Sequence, residues 1–166
     1  AYIGGASYVQ NRYNQPIDCL DLLKYVNPTA AKVATSEQVK ERIRFCKSSL
    51  CNGVFDVFHV GHLETLEFAK SKADILIVAI NSDESVKRLK GPQRPIISQD
   101  NRAKMLASLS CVDFVVIFDE DTPLRLIEEL KPTYIVKGGD YKNQTIVGDN
   151  IAEPLIAPFH EGESTT

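Results

Sequence analysis

Gly53-Val54-Phe55-Asp56-Val57-Phe58-His59-Val60-Gly61-His62 closes a short apolar run at residues 50–51 and opens an amphipathic stretch. Two histidines and two glycines thus stand where a strand hands over to a helix. The exposed N–H groups and the dipole of a helix N-terminus attract anions. Two imidazoles added there point to binding and polarising phosphate. His59 and His62 are three residues apart, so they share a face of the first helical turn. Gly61 lacks a Cβ and lets a ligand approach the backbone. A zinc site needs a third ligand, and only His160 and scattered carboxylates offer one, which ranks phosphate chemistry ahead of metal ligation.

Outward from this junction the chain alternates strand and helix. Residues 61–72 read as a helix with Leu63, Leu66 and Ala69 on one face. Residues 74–80 are continuously apolar, as expected of a strand buried on both faces. Upstream, Thr35 with Gln38 forms a capping box for a helix over 36–47, where Val39, Ile43 and Cys46 recur at helical spacing. Downstream, residues 84–97 are basic and contain Gly91, Pro92 and Pro95, which predicts a partly mobile loop. Ser98 is expected to cap a helix running to about residue 109. Strands are expected at 113–118, 134–136 and 155–159, with a helix from the first-turn Pro123 through residue 130. Residues 1–35 have poor periodicity and read as an extension or the tail of a preceding domain, with a short helix at 17–26. Residues 36–166 then form one domain.

Strands alternating with helices imply βαβ units: an α/β fold with a doubly wound parallel sheet in three α/β/α layers. Ligands of such sheets bind beyond the carboxyl ends of the strands, where the strand order reverses. Segments 53–62, 81–91, 137–141 and 160–166 all follow expected strands, so they are expected to converge on one crevice.

Composition agrees with one globular domain: 166 residues, 43% hydrophobic and 25% charged. A net charge of -3 gives no general attraction to nucleic acid or anionic membrane. No apolar run approaches membrane-spanning length. Cys19, Cys46, Cys51 and Cys111 are irregularly spaced with no C-x-x-C pair. They read as small hydrophobes of a reducing, cytoplasmic protein rather than a zinc or disulfide framework.

Other segments offer phosphate chemistry. Lys87, Arg88 and Lys90 precede Gly91 and read either as a solvated basic loop or as a cationic arm closing on a polyphosphate. Lys137-Gly138-Gly139-Asp140 is a tight turn after a strand, and its carboxylate could hold ribose hydroxyls. Ser164-Thr165-Thr166 resembles a helix cap, with a structural and a phosphate-binding role about equally weighted.

Gly53-x-Phe55-Asp56-x-x-His59-x-Gly61-His62 resembles the signature of the cytidylyltransferase-like, H-x-G-H nucleotidyltransferases. The likeness continues through Ala79-Ile-Asn-Ser-Asp83, Lys87-Arg-Leu-Lys-Gly91, Arg94-Pro95, Cys111-Val-Asp113, Asp119-Glu-Asp-Thr-Pro123 and Val136-Lys-Gly-Gly-Asp-Tyr141. These strings are most similar to the adenylyltransferase domain of bacterial enzymes that make ADP-heptose, where the domain often follows a sugar kinase. The resemblance covers about residues 36–166. It implies a Rossmann-like fold, a magnesium-assisted in-line reaction of ATP or CTP with a sugar 1-phosphate, and a homodimer. His59, His62 and Lys90 are implied as catalytic. Gly53, Val54, Phe55, Asp56, Gly61, Asn81, Asp83, Lys87, Lys137, Gly138, Asp140, Ser164 and Thr165 are implied as nucleotide-binding, and Arg94 as acceptor-binding. Near the end, Phe159-His160-Glu161-Gly162-Glu163-Ser164-Thr165 replaces the Arg-Thr-Glu-Gly-Ile-Ser-Thr of related cytidylyltransferases. The missing arginine argues against the glycerol- and choline-phosphate branches. Two alternatives stay open: a cytidylyltransferase for a phosphorylated alcohol, or a nucleotide-binding module without activity.

Overall fold

The structure, a computed structural model, describes residues 28–139 and 145–158. The helix expected over 17–26, the site residues Asp140, Ser164 and Thr165, and His160 lie outside the described residues. Five strands build the sheet: β1 Ser48–Gly53, β2 Ile75–Asn81, β3 Phe114–Phe118, β4 Tyr134–Lys137 and β5 Glu153–Ile156. All neighbours pair in parallel, in the order β3-β2-β1-β4-β5. The order reverses between β1 and β4, so the expected crevice opens beyond Gly53 and Lys137.

The helices are α1 Ser36–Ile43, α2 Val60–Lys72, α3 Asp83–Lys90, α4 Gln99–Ala107 and α5 Leu124–Leu130. Side chains alternate across each strand. Cys51, Leu76, Val78, Ile80, Val115 and Val136 therefore meet α2 and α4 through Leu66, Ala69, Ala103 and Leu106. Leu50, Ile77, Ala79, Val116 and Ile135 meet α1 and α5 through Val39, Ile43, Leu126 and Ile127 on the opposite face. The three layers follow. β2 lies inside the sheet, and Leu76, Ile77, Val78, Ala79 and Ile80 have no exposed surface, which explains the unbroken apolar run. Burying each large aliphatic of this core contributes about 1.5–3 kcal/mol.

The capping box of α1 is present: the Gln38 N–H donates to Thr35 Oγ1 and the Thr35 N–H to Gln38 Oε1. The helix stops at Ile43, short of the expected residue 47, and leaves Cys46 exposed as the chain turns into β1. Before it, Ala31 is buried, the Ala34 N–H donates to Val115 O, and Val33 bridges to Val115. These residues, read as the end of an extension, pack on the edge of the sheet. β5 begins two residues earlier than expected and holds Pro154, which an edge strand tolerates.

The largest correction concerns residues 84–97. Only residues 91–97 are irregular: Asp83–Lys90 is helical and Gly91 closes it with φ 91°. Ser82 Oγ accepts from the Ser85 N–H, Asp83 and Glu84 lie in the first turn, and Lys87, Arg88 and Lys90 in the last. Cap and charges all match the helix dipole. A second correction concerns α4, where the Ser98 side chain makes no capping bond. Instead Asp83 Oδ1 accepts from the Gln99 N–H at 2.8 Å, while the Asp83 N–H donates to Gln99 Oε1 at 2.9 Å. The first residues of α3 and α4 cap each other.

Arg102 locks this junction. It is fully buried, and each guanidinium nitrogen donates to a different segment: Nε to Ile97 O at 2.9 Å, one terminal nitrogen to Val54 O at 2.6 Å, the other to Asp83 Oδ1 at 2.7 Å. Arg102→Met keeps the volume but strands three acceptors. It is expected to cost about 3–5 kcal/mol, the size seen when one partner of a buried pair is removed. Urea unfolding followed by circular dichroism checks this; an unchanged midpoint would deny Arg102 the role.

Candidate functional site

The residues after β1 set the site. Phe55 adopts φ 51°, a left-handed conformation that a side chain other than glycine seldom takes. This sharp turn buries the Phe55 ring and sends the chain toward α2. A Cβ on Gly53 would approach that ring to 3.1 Å, so glycine makes room for the turn. His59 then caps α2 in extended conformation and His62 sits in the first turn. Their ring centroids are 3.8 Å apart. The His62 ring is flanked by Phe55 at 5.1 Å and stacks on Phe58 at 5.6 Å. Apolar rings thus fix the orientation of one imidazole and lower the local dielectric.

His62 Nδ1 accepts from the His59 backbone N–H at 3.4 Å. A ring nitrogen that accepts in this way leaves the ring proton on Nε2. His59 Nδ1 is buried and faces the His62 backbone N–H across the capping box without completing a hydrogen bond among the described residues. Buried polar atoms are rarely left so.

Asp56 works differently. Its Oδ1 accepts from the Ile96 and Ile97 N–H groups at 2.7 and 2.9 Å, and its Oδ2 from Arg94 at 2.7 Å. Burial pushes this carboxyl upward, but the hydrogen bonds from Ile97, Arg94 and Ile96 outweigh it and hold it below the usual carboxylate range. Asp56 is therefore a clasp that ties the loop after β1 to residues 94–97. Arg94 keeps its remaining surface half exposed beside this clasp.

The other candidates divide in the same way. Asp83 is engaged by Arg102 and Gln99. The buried Asn81 amide donates to Ser85 Oγ and Glu120 O. Lys87 pairs with Glu84 at 2.7 Å, and Arg88 with Asp121 at 2.8 Å. Lys90 is exposed at the end of α3 and forms no ion pair among the described residues. Across the switch point, Lys137 Nζ donates to Asn52 O at 3.3 Å, and Gly138 follows it. The structure thus brings Gly53, Val54, Phe55, Asp56, His59, Gly61, His62, Arg94 and Lys137 to one end of the sheet. Arg102 and Asn52 were missed from sequence; the one clue to Arg102 is its place four residues before Leu106, on the stripe that faces the core. A cavity of about 370 Å³ lies elsewhere, between Val33, Thr35, Gln38, Phe118 and Arg125.

Comparison with known proteins agrees with this geometry. The cytidylyltransferase-like family matches residues 50–154. Among curated proteins, Bifunctional protein HldE of Helicobacter pylori (strain P12) is 50% identical over 142 residues, 85% of this chain and 31% of that protein. Bifunctional protein HldE of Geobacter metallireducens is 51% identical over 131 residues, 76% of this chain and 27% of that one. The chain therefore spans about a third of the length of these relatives. Among solved structures, a lipopolysaccharide core biosynthesis protein from Thermoplasma volcanium GSS1 superposes with TM-score 0.60 at 23% identity, covering 70% of this chain and 99% of that one. A pantoate-beta-alanine ligase from Francisella tularensis gives 0.56 at 16% identity, covering 79% and 68%. These two likenesses establish the fold.

The Asp56 clasp makes a pH-dependent prediction. A carboxyl held low in the folded protein adds stability that is present above its unfolded value, near 4, and is lost as pH falls through its lowered folded value. Asp56→Asn should lower stability at pH 7 by about 1.5–3 kcal/mol, as expected for charge-assisted hydrogen bonds. The gap between variant and wild type should narrow in urea titrations below about pH 4. A gap constant from pH 7 to pH 3 would contradict an ionised clasp.

Proposed function

The chain belongs to the cytidylyltransferase-like family, and from that premise we propose that it is the nucleotidyltransferase unit of an HldE-like protein. It moves adenylate from ATP to a sugar 1-phosphate, D-glycero-D-manno-heptose 1-phosphate, and releases pyrophosphate. The product is ADP-heptose, a building block for lipopolysaccharide. The observation that carries the reading is the half-identity to the HldE proteins across most of this chain, with the histidine pair seated at the switch point. The kinase implied by the likeness would belong to another part of the protein or to a partner. A homodimer and a cytoplasmic location complete the proposal. Among the described residues no helix is long and apolar enough to cross a membrane.

The proposed reaction is a single in-line displacement. An oxygen of the sugar 1-phosphate attacks the α-phosphorus of ATP. The new P–O bond forms as the bond to the bridging β-oxygen breaks, and pyrophosphate leaves with that electron pair. Such transfers need positioning and charge stabilisation more than covalent help. His62 Nε2–H donates to an oxygen of the transferring phosphate, and His59 and the N–H groups that open α2 add to it. Lys90 meets the β- and γ-phosphates. Gly53, Val54 and Phe55 present backbone to the nucleotide, and Lys137 and Gly138 border it across the switch point. Arg94 turns its exposed donors toward the acceptor phosphate. In this proposal Asp140 would meet the ribose and Ser164 and Thr165 phosphate; all three lie outside the described residues.

Magnesium fits this scheme as part of the nucleotide substrate. Among the described residues no group of three or more His, Cys, Asp or Glu side chains could hold a metal. Both oxygens of Asp56, three residues before His59, already accept hydrogen bonds. Bound with the triphosphate, the ion would neutralise phosphate charge.

His62→Ala removes a donor used in the transition state. It is expected to lower kcat by roughly 10²–10³-fold with little change in urea unfolding. Pyrophosphate release from ATP or CTP with heptose 1-phosphate, and with glycerol phosphate as control, checks both base and acceptor. Near-normal turnover by the variant would remove His62 from the reaction. Faster release from CTP and glycerol phosphate would replace the heptose reading.

A further inference from the structure

Asn52 is the penultimate residue of β1, just before Gly53, and its Oδ1 is buried with no hydrogen-bond partner among the described residues. Its neighbours are engaged. Lys137 Nζ is held at the Asn52 backbone oxygen, and the Asn81 amide is held by Ser85 and Glu120. An unpaired buried carbonyl is a standing cost of about 1–3 kcal/mol, and one at the crevice of a doubly wound sheet calls for a ligand.

The sheet says on which side that ligand lies. Leu50 packs on the face covered by α1 and α5, and so does Ala79, the residue paired with Asn52. Alternation puts Asn52 on that face as well, beside Lys137. Helix α2, which carries the histidines, covers the other face through Leu66 and Ala69. In an in-line displacement the attacking oxygen and the leaving pyrophosphate stand on opposite sides of the phosphorus. With the phosphates drawn to the start of α2, the acceptor comes from the Asn52 side.

We infer that Asn52 is a specificity-determining residue whose side-chain carbonyl accepts a hydrogen bond from a ring hydroxyl of the acceptor sugar. This rests on the sugar-phosphate reading above. A site built to bond a hydroxyl rejects the analogue lacking it, because the buried acceptor is then left unpaired.

The test pairs a protein change with a substrate change. Wild type and Asn52→Ala are assayed for pyrophosphate release with ATP and heptose 1-phosphate, and with analogues each lacking one ring hydroxyl. The variant is expected to lose about 10- to 100-fold in kcat/KM for heptose 1-phosphate, the scale of one buried hydrogen bond with its desolvation. Its affinity for ATP, measured by calorimetry, should stay within about two-fold, since the bond is to the acceptor. One deoxy analogue should be discriminated by wild type and no longer by the variant. Thermal unfolding of the free variant should not fall, because an unpaired group has been removed. An active wild type with an unchanged acceptor kcat/KM in the variant overturns this inference alone. So does an equal loss of ATP affinity, or a variant that still discriminates every deoxy analogue. A wild type silent with heptose 1-phosphate overturns the functional reading, and this inference with it.

Discussion

Arg102 has no contact with solvent, and a guanidinium removed from water must direct its donors at acceptors. The acceptors it finds lie on the loop after β1, on residue 97 and on the first residue of α3. Three segments distant in sequence are thereby fixed to one rigid plane of charge. Asp56 repeats the arrangement with the sign reversed, a buried carboxylate holding Ile96, Ile97 and Arg94. One buried cation and one buried anion brace the strained turn at Phe55 from opposite sides. The turn then has little freedom to relax, and the histidines that follow it inherit that rigidity.

This bracing separates two kinds of polar group. Those that build the site are satisfied within the protein: Asp56, Asp83, Asn81 and Arg102 all have named partners. Two that line it are not: His59 Nδ1 and Asn52 Oδ1 are buried and unpaired among the described residues. The burial that makes Arg102 rigid also makes these two atoms costly until something meets them.

Sequence periodicity carried far where one physical signal dominated. β2 was legible because a strand covered on both faces must be apolar throughout. α2 was legible because Leu66 and Ala69 recur on a face set by the Gly61 junction. The stretch 84–97 was misread because Val86 is the one large apolar side chain that α3 buries, which leaves almost no periodicity. Its cap at Ser82, its acids in the first turn and bases in the last were all present, but Gly91, Pro92 and Pro95 outweighed them. The histidine pair at the start of α2 stood out because residue type and spacing alone mark it. Asn52 and Arg102 were not, because an amide or a guanidinium acquires meaning only from burial, and burial is set by residues far along the chain.

The helical character of α3 changes how its lysines act. In a loop, ordering each residue around a triphosphate would cost about 1–2 kcal/mol of backbone entropy at every encounter. In α3 that ordering is done on folding, through Asp83, Gln99, Arg102 and the bond from Ser85 to Glu120. The same geometry sets a difficulty, since the carboxyl end of a helix carries partial negative charge and repels phosphate. α2 points its positive end at the site, while α3 ends in basic residues that offset its own carbonyls. Lys87 and Arg88 are already drawn to Glu84 and Asp121. The cluster is therefore not three phosphate ligands in reserve. Two of its charges quiet the helix end and its acidic neighbours, which leaves the third, Lys90, as exposed positive charge at the end of α3.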